Sequence, residues 1–168
     1  GAFGALTVTM KLYPAIVTLH LMLGLGLLAM LTVQAAMHQG KTVSLSQPTR
    51  WLAWVAAAAV VLQLAMGGWV STNYAVLACQ DFPTCQGGWW PRMNFTEAFV
   101  LDRPLGRTAD PNRYLPFEAL TAIHVTHRAL AVVVVALCLT LAWRLRAEPD
   151  RRVRGASQAL VALLGWQV

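Results

Sequence analysis

The fold is decided by the stretch Glu118–Trp143, which reads EALTAIHVTHRALAVVVVALCLTLAW. After Arg128 no charged residue follows until Arg144. A helix needs about 20 apolar residues to cross the ~30 Å hydrocarbon core of a bilayer, where it also satisfies its own backbone hydrogen bonds. The stretch therefore predicts a transmembrane helix that carries two histidines and an arginine in its first half.

Three further apolar segments have the same character. They run from Tyr13 to Met37, from Trp51 to Tyr74, and from near Gly155 to Val168. The first two are long enough to span a bilayer, whereas the last is short of the required length. We therefore expect an all-α membrane protein, a polytopic helix bundle with three complete transmembrane helices and one truncated helix. Because the last apolar run is cut, we also expect the chain to be a fragment of a longer protein.

The composition excludes several classes of protein. The chain has 168 residues, of which 57% are hydrophobic and 12% are charged, with 13 Lys and Arg against 7 Asp and Glu and a net charge of +6. An average soluble domain has about 25% charged residues. The basic residues are diluted in apolar sequence and are not gathered on a stripe, which argues against nucleic-acid binding.

The basic residues also predict an orientation. The linker 144–154 contains five arginines, and the linker 38–50 carries Lys41 and Arg50 and no acid. The positive-inside rule places both linkers in the cytoplasm. The long segment 75–117 then lies on the outer side. We expect a compact loop region there, with a short amphipathic helix around Phe95–Leu101.

Two cysteines lie six positions apart in this outer segment. Between Cys79 and Cys85, the turn-forming residues Asp81 and Pro83 bring the two sulfurs together. An oxidising compartment favours a disulfide. Two free thiols, or half of a metal site, remain as alternatives. Cys138 lies inside the third span and is interpreted as a small core residue.

Three histidines lie within the spans, where an ionisable side chain suggests a function. His20 follows Lys11 by nine positions, and His127 follows Glu118 by nine positions. At 1.5 Å per residue, both imidazoles lie about 13 Å below their outer charges. His124 lies one turn before His127, on nearly the same face. The alternative reading is a histidine that only hydrogen-bonds to a neighbouring helix.

Haem is the leading candidate ligand for these histidines. Its iron takes axial imidazoles and its propionates need cations. Arg128 is a candidate partner for such a carboxylate, although a loop acid or a backbone carbonyl would serve as well. Zinc is less favoured because no carboxylate or thiolate lies at the same depth. A proton relay usually involves intramembrane acids, and the interiors of the three complete spans have none.

With these residues assembled, the chain resembles the haem A synthase family, membrane enzymes that make haem A for cytochrome oxidases. The resemblance covers the whole chain and is greatest to the proteobacterial members. The matching stretches are GALTVTMKLYPAIVTLH (4–20), GGWVSTNYAVLAC (67–79), DFPTC (81–85) and IHVTHR (123–128).

The resemblance implies an architecture of eight spans in two four-helix halves. Residues 1–45 would hold the last helix of the first half, and residues 46–168 would form most of the second half, including the outer loop 75–117. The proposed catalytic glutamate of the family and the histidine of its eighth span lie outside this chain. The catalytic residues are therefore unknown from this sequence.

The resemblance also implies roles for individual side chains. His20 would be an axial iron ligand of the substrate-side haem, and His127 an axial ligand of haem b in the second half. His124 would be a local hydrogen-bonding group, although it is not excluded as the ligand. Arg128 would belong to the cofactor-binding set. Cys79 and Cys85 would form the disulfide of the outer loop.

The implied reaction is the oxidation of the C8 methyl group of haem O to a formyl group, with haem b as cofactor and the chain alone expected to be inactive. The alternatives are a dihaem b-type electron-transfer protein without oxygenase chemistry and a haem-free membrane assembly component. The expected partners are haem O synthase, cytochrome oxidase assembly factors, an unidentified electron donor, membrane lipid and a further copy of the protein. The expected location is the inner membrane, with loop 75–117 in the periplasm.

Overall fold

The computed structural model describes residues 2–9, 13–38, 43–101 and 115–167. These residues contain helices and no β-strand, apart from one isolated bridge between Cys85 and Gly88. The elements, in order, are α1 (Ala2–Thr9), α2 (Pro14–His38), α3 (Gln47–Thr72), a 3-10 turn (Ala75–Ala78), α4 (Phe95–Ala98), α5 (Phe117–Arg146) and α6 (Arg151–Gln167). The prediction of an all-α membrane protein is confirmed.

Prolines and polar caps set where the helices begin. Pro14 is the first residue of α2, a position where its missing N–H costs nothing. Pro116 directly precedes α5, and its carbonyl accepts from the N–H of Ala119 at 2.9 Å. Asp150 precedes α6, and its carboxylate accepts from the N–H of Arg152 at 2.8 Å. With these caps, α2 and α5 begin within one residue of their apolar runs, and α6 begins about four residues before its run.

Within the described part of the chain, three helices are long and apolar enough to cross a membrane: α2, α3 and α5. They correspond to the three complete spans that the sequence predicts, so the protein is a multi-pass membrane protein. Helix α6 has 17 residues and corresponds to the shorter fourth segment. Helix α1 was not among the predicted segments, because its eight residues are too few for a span.

The chain folds as two compact units, and the boundaries between them fall within helices α2, α3 and α5. The first unit contains the chain up to Leu28 and the stretch Leu64–Ala129. Its buried core includes side chains from the end of α3, from the 3-10 turn, from α4 and from the start of α5. The members are Trp69, Val70, Ala75, Ala98, Ala119, Ala122 and Ile123.

Two polar contacts fasten the short helix α4 within this first unit. The indole Nε1 of Trp69 donates to the carbonyl oxygen of Ala98 at 2.9 Å. The side chain of Asn94 caps α4 by accepting from the N–H of Glu97. The helix begins where it was predicted and ends three residues before Leu101. The part of the loop between residues 102 and 114 lies outside the described residues.

The second unit contains Ala29–Gln63 and the chain from Leu130 onward. Within it, the hydroxyl of Ser157 on α6 donates to the carbonyl oxygen of Ala142 on α5 at 2.7 Å. Small residues at such a contact allow two helices to approach closely. Both residues are almost fully buried, so this bond joins α5 to α6. The division of the chain at residue 45 into two family halves stays a prediction, as does its orientation in the membrane.

Candidate functional site

A disulfide closes the loop that follows α3. Cys79 and Cys85 are joined by a bond of 2.02 Å, so the predicted pairing is confirmed in the structure. The Phe82–Pro83 peptide within the loop is cis. The exposed fractions of the two cysteines are 5% and 4%. A reductant therefore reaches the sulfur atoms only if the loop opens.

The carboxylate of Asp81 organises the interior of this loop. It accepts from the hydroxyl of Thr84, from the N–H of Gln86 at 2.7 Å and from the N–H of Gly87 at 3.0 Å. These donors stabilise the ionised form. The hydrogen bond from Thr84, followed by that from Gly87, lowers the pKa of Asp81 from 3.8 to about 2.

A tight turn follows the second cysteine. Cys85 and Gly88 exchange backbone hydrogen bonds of 2.9 and 3.2 Å across Gln86 and Gly87, whose φ angles are 56° and 75°. Two successive left-handed residues are typical of a type I′ turn. The turn directs the amide of Gln86 to the hydroxyl of Thr121 on α5, to which it donates at 2.9 Å.

Sequence reasoning missed Gln86 as a contact between the loop and α5. The pair Gln86-Gly87 was a usable turn signal, because glycine readily takes a positive φ. The partner of the glutamine amide could not be predicted from the sequence, because Thr121 is 35 positions away.

Arg128 binds the same loop from α5. Its Nη1 donates to the carbonyl oxygens of Asp81 at 2.7 Å and Thr84 at 2.9 Å, and its Nη2 donates to the carbonyl oxygen of Cys79 at 3.2 Å. The guanidinium carbon also lies 5.7 Å from the centre of the Phe82 ring. Of the partners considered from the sequence, backbone carbonyls are those that the structure provides.

His124 completes the hydrogen bonding of this arginine. Nε of Arg128 donates to Nε2 of His124 at 3.2 Å. An arginine N–H can only donate, so Nε2 of His124 is the acceptor and carries no proton. The exposed fraction of His124 is 8%. The pair connects two successive turns of α5.

The two histidines of α5 have different surroundings. At 3.6 residues per turn, Thr121, His124 and Arg128 fall within about 60° of one another, and His127 lies about 60° further round. The first three meet the loop. The ring of His127 instead lies beside α3, where its Cε1 atom is 3.4 Å from the position that a Cβ of Gly67 would occupy.

His20 on α2 has a similar neighbour. Its Cε1 atom lies 3.7 Å from the position of a Cβ on Gly4 of α1. Each candidate ligand therefore lies beside a glycine of another helix. The structure places the six predicted site residues in the same compact unit. They are His20, Cys79, Cys85, His124, His127 and Arg128.

Among the residues that the structure describes, no group of three or more His, Cys, Asp or Glu side chains could hold a metal ion.

The neighbouring tryptophans Trp89 and Trp90 are strongly exposed. Cys138 is a free, buried thiol inside α5, as its interpretation as a core residue required.

Comparisons with known proteins agree on one family. The COX15-CtaA family, described as cytochrome oxidase assembly protein, matches residues 1–168. A protein named heme A synthase from Shewanella oneidensis is 34% identical over 172 residues, which cover 100% of this chain and 51% of that protein. The chain thus spans about half the length of the curated relative that it matches.

No solved structure matches the chain. The family match covers every residue, including the cysteine loop and the His-Arg pair of α5. This chain therefore belongs to the COX15-CtaA family of cytochrome oxidase assembly proteins.

Proposed function

We propose that this chain is part of a haem A synthase, a membrane enzyme that oxidises the C8 methyl group of haem O to a formyl group. The family membership and the name of the Shewanella relative support haem A synthesis. The observation that carries the proposal is the position of His127 inside a membrane-spanning helix, beside a glycine of the facing helix.

The residues present fit a haem. Histidine imidazoles are common protein ligands of haem iron. His20 and His127 each offer one imidazole from a transmembrane helix, with a glycine beside it. A glycine removes the side chain that would otherwise fill the space next to the ring. His20 would bind the substrate haem O, and His127 would bind a resident haem b.

Between the two histidines of α5, we assign His127 as the ligand. Nε2 of His124 accepts a hydrogen bond from Arg128, and a lone pair used in this way is not available to a metal. His127 lies on the face of α5 that turns away from the loop. His124 would then hold the side chain of Arg128 by accepting its hydrogen bond, without binding the haem iron.

The polypeptide would contribute binding, orientation and exclusion of water, whereas the haem iron would supply the redox chemistry when bound. His127 would fix the iron, and Gly67 would leave room beside its ring. The disulfide loop, held by Arg128, would close the outer end of the site. Trp89 and Trp90 would stand at its outer rim.

The proposed location is the inner membrane, with loop 75–117 on the periplasmic side. Arg144 and Arg146 in the last turn of α5 would then face the cytoplasm, as the positive-inside rule requires. Haem O synthase and cytochrome oxidase assembly factors are the proposed partners, together with an electron donor, membrane lipid and further copies of the protein. The chain alone would be inactive, since the catalytic glutamate expected from the family lies outside it.

The test is the reduced-minus-oxidised absorption spectrum of the protein at its full natural length, with extraction of the haems. The variants are His127→Ala, His124→Ala and, as a control, His38→Ala at the exposed end of α2. We expect a low-spin b-type signal that falls in His127→Ala and persists in the other two. Conversion of haem O to haem A by the wild-type protein completes the test.

The outcomes separate the alternatives. A b-type signal without haem O turnover would indicate an electron-transfer protein. Absence of haem from the wild-type protein would exclude the synthase. A signal that falls only in His124→Ala would transfer the ligand to that residue.

A further inference from the structure

Three acceptors of Arg128 belong to the ring that the disulfide closes. The carbonyls of Cys79, Asp81 and Thr84 converge on the guanidinium at 3.2, 2.7 and 2.9 Å. Carbonyls so far apart in a short loop meet at one point only if the loop is folded back on itself. The disulfide between Cys79 and Cys85 enforces this shape. Arg128 therefore binds the oxidised form of the loop, whose acceptors it holds together.

The guanidinium of Arg128 has a geometry suited to binding several loop carbonyls at once. Its planar fork presents several N–H groups in fixed directions, whereas a lysine ammonium is a compact charge on a flexible stem. Nε is directed to His124, and this bond fixes the plane in which the remaining donors point. The ring of Phe82 covers the guanidinium from the loop side. His124 thus orients Arg128, and Arg128 orients the loop.

We propose that His124 and Arg128 are positioning residues that lock the disulfide-closed loop Cys79–Cys85 onto α5. The lock couples the oxidised state of the cysteine pair to the helical turn that carries His127. The coupling to a haem at His127 rests on the proposed function, whereas the lock itself does not. The pair acts through the loop and does not touch the reacting atoms.

The first experiment measures how fast a water-soluble reductant opens the disulfide in the protein at its full natural length. Both cysteines are buried, so the rate reports how often the loop leaves α5. Mass-tagging of the released thiols gives the rate without reference to haem. We expect Arg128→Leu to be reduced about tenfold faster than the wild type, because hydrogen bonds from a charged donor are lost.

Conservative variants distinguish a lock from a simple charge. Arg128→Lys keeps the charge and loses the fork, so we expect its rate to lie near that of Arg128→Leu. His124→Gln retains an acceptor for Nε and should stay near the wild type, whereas His124→Leu should open faster. The control is Val132→Ala, at a strongly exposed position of α5, and its rate should equal the wild-type rate.

The proposal is overturned if Arg128→Leu opens at the wild-type rate, or if Arg128→Lys restores that rate in full. Wild-type rates in both His124→Gln and His124→Leu would remove His124 from the lock. The coupling has its own readout in the haem midpoint potential. We expect Arg128→Leu and the Cys79→Ser/Cys85→Ser pair to shift it in the same direction, with no further shift when they are combined.

Additive shifts would overturn the coupling. A protein without haem would contradict the proposed function. The reduction rates would still test whether His124 and Arg128 hold the loop Cys79–Cys85 on α5. The two failures are therefore distinguishable.

Discussion

A Cβ atom on Gly67 would stand 3.4 Å from Cε1 of His127, so a glycine of α3 marks the space beside the imidazole. Gly24 on α2 is the matched control, because a Cβ there would meet nothing within 4 Å. We predict that Gly67→Leu lowers the haem content of the protein severalfold, whereas Gly24→Leu does not. The measurement is the haem-to-protein ratio after purification in detergent.

The alanine variants refine this comparison. Alanine favours a helix over glycine by about 1 kcal/mol, so Gly24→Ala should stabilise the protein slightly. In Gly67→Ala the added methyl group makes only an ordinary van der Waals contact with the imidazole at 3.4 Å, so a similar gain is expected and the haem content should persist. Haem content that is unchanged even in Gly67→Leu would show that the imidazole does not depend on this space.

The three spans could be predicted from the sequence because a long apolar run has one solution in a bilayer, the helix. The depth of His20 and His127 below their outer charges was predicted from the same geometry and stays a prediction. The different surroundings of His124 and His127 could not be predicted. Counting along a helix puts them on nearly one face, and only the loop that folds back onto α5 gives them different partners.

For the loop Cys79–Cys85, only the disulfide that closes it could be predicted from the sequence. Its cysteine spacing favours a disulfide, but its contacts with α5 join residues far apart in sequence. Arg128 and Asp81 are separated by 47 positions, and no local pattern specifies such a pair. The arginine was recognised as needing a partner because an unpaired cation is costly at membrane depth. Which of its candidate partners it takes is decided by the fold.

The carboxylate of Asp81 gives the loop a dependence on acid. Its pKa of about 2 lies below the ordinary 3.8, mainly because Thr84 donates to the ionised form. A carboxylate whose pKa is lowered by folding stabilises the fold above its ordinary pKa, and this stabilisation is lost as the pH falls through its folded pKa. We therefore predict that the rate of disulfide reduction stays constant from pH 7 to about 4 and rises towards pH 2.

Thr84→Val tests the cause of this behaviour. The variant removes the strongest donor and keeps the size of the side chain, so the folded pKa lies closer to 3.8. The rise towards low pH should therefore be smaller and should level off at a higher pH. Asp81→Ala should open faster at every pH and show no such rise. A phosphine reductant serves across this range, with circular dichroism to verify that the helices persist. An identical profile in Thr84→Val would contradict the assignment.

Trp69 holds α4 through one buried hydrogen bond. Its Nε1 donates to the carbonyl of Ala98 at 2.9 Å, and Ala98 is fully buried. Trp69→Phe leaves this carbonyl without its donor, which costs about 1–3 kcal/mol. We predict faster amide hydrogen exchange in Phe95–Ala98, with Trp54→Phe as the exposed control. Unchanged exchange in α4 would mean that apolar packing alone holds this helix.

The bond from Ser157 to the carbonyl of Ala142 joins α6 to α5 at a position without free space. Ser157→Ala removes the bond and keeps the close approach, so we predict a loss of about 0.6–1 kcal/mol in the free energy of unfolding. Ser157→Leu forces the helices apart and should cost about 1–3 kcal/mol. Titration with a denaturing detergent measures both, and Gln158→Ala, at an exposed neighbouring position, is the control. A loss in Ser157→Ala as large as that in Ser157→Leu would indicate that the hydrogen bond, and not the small size of the residue, joins the two helices.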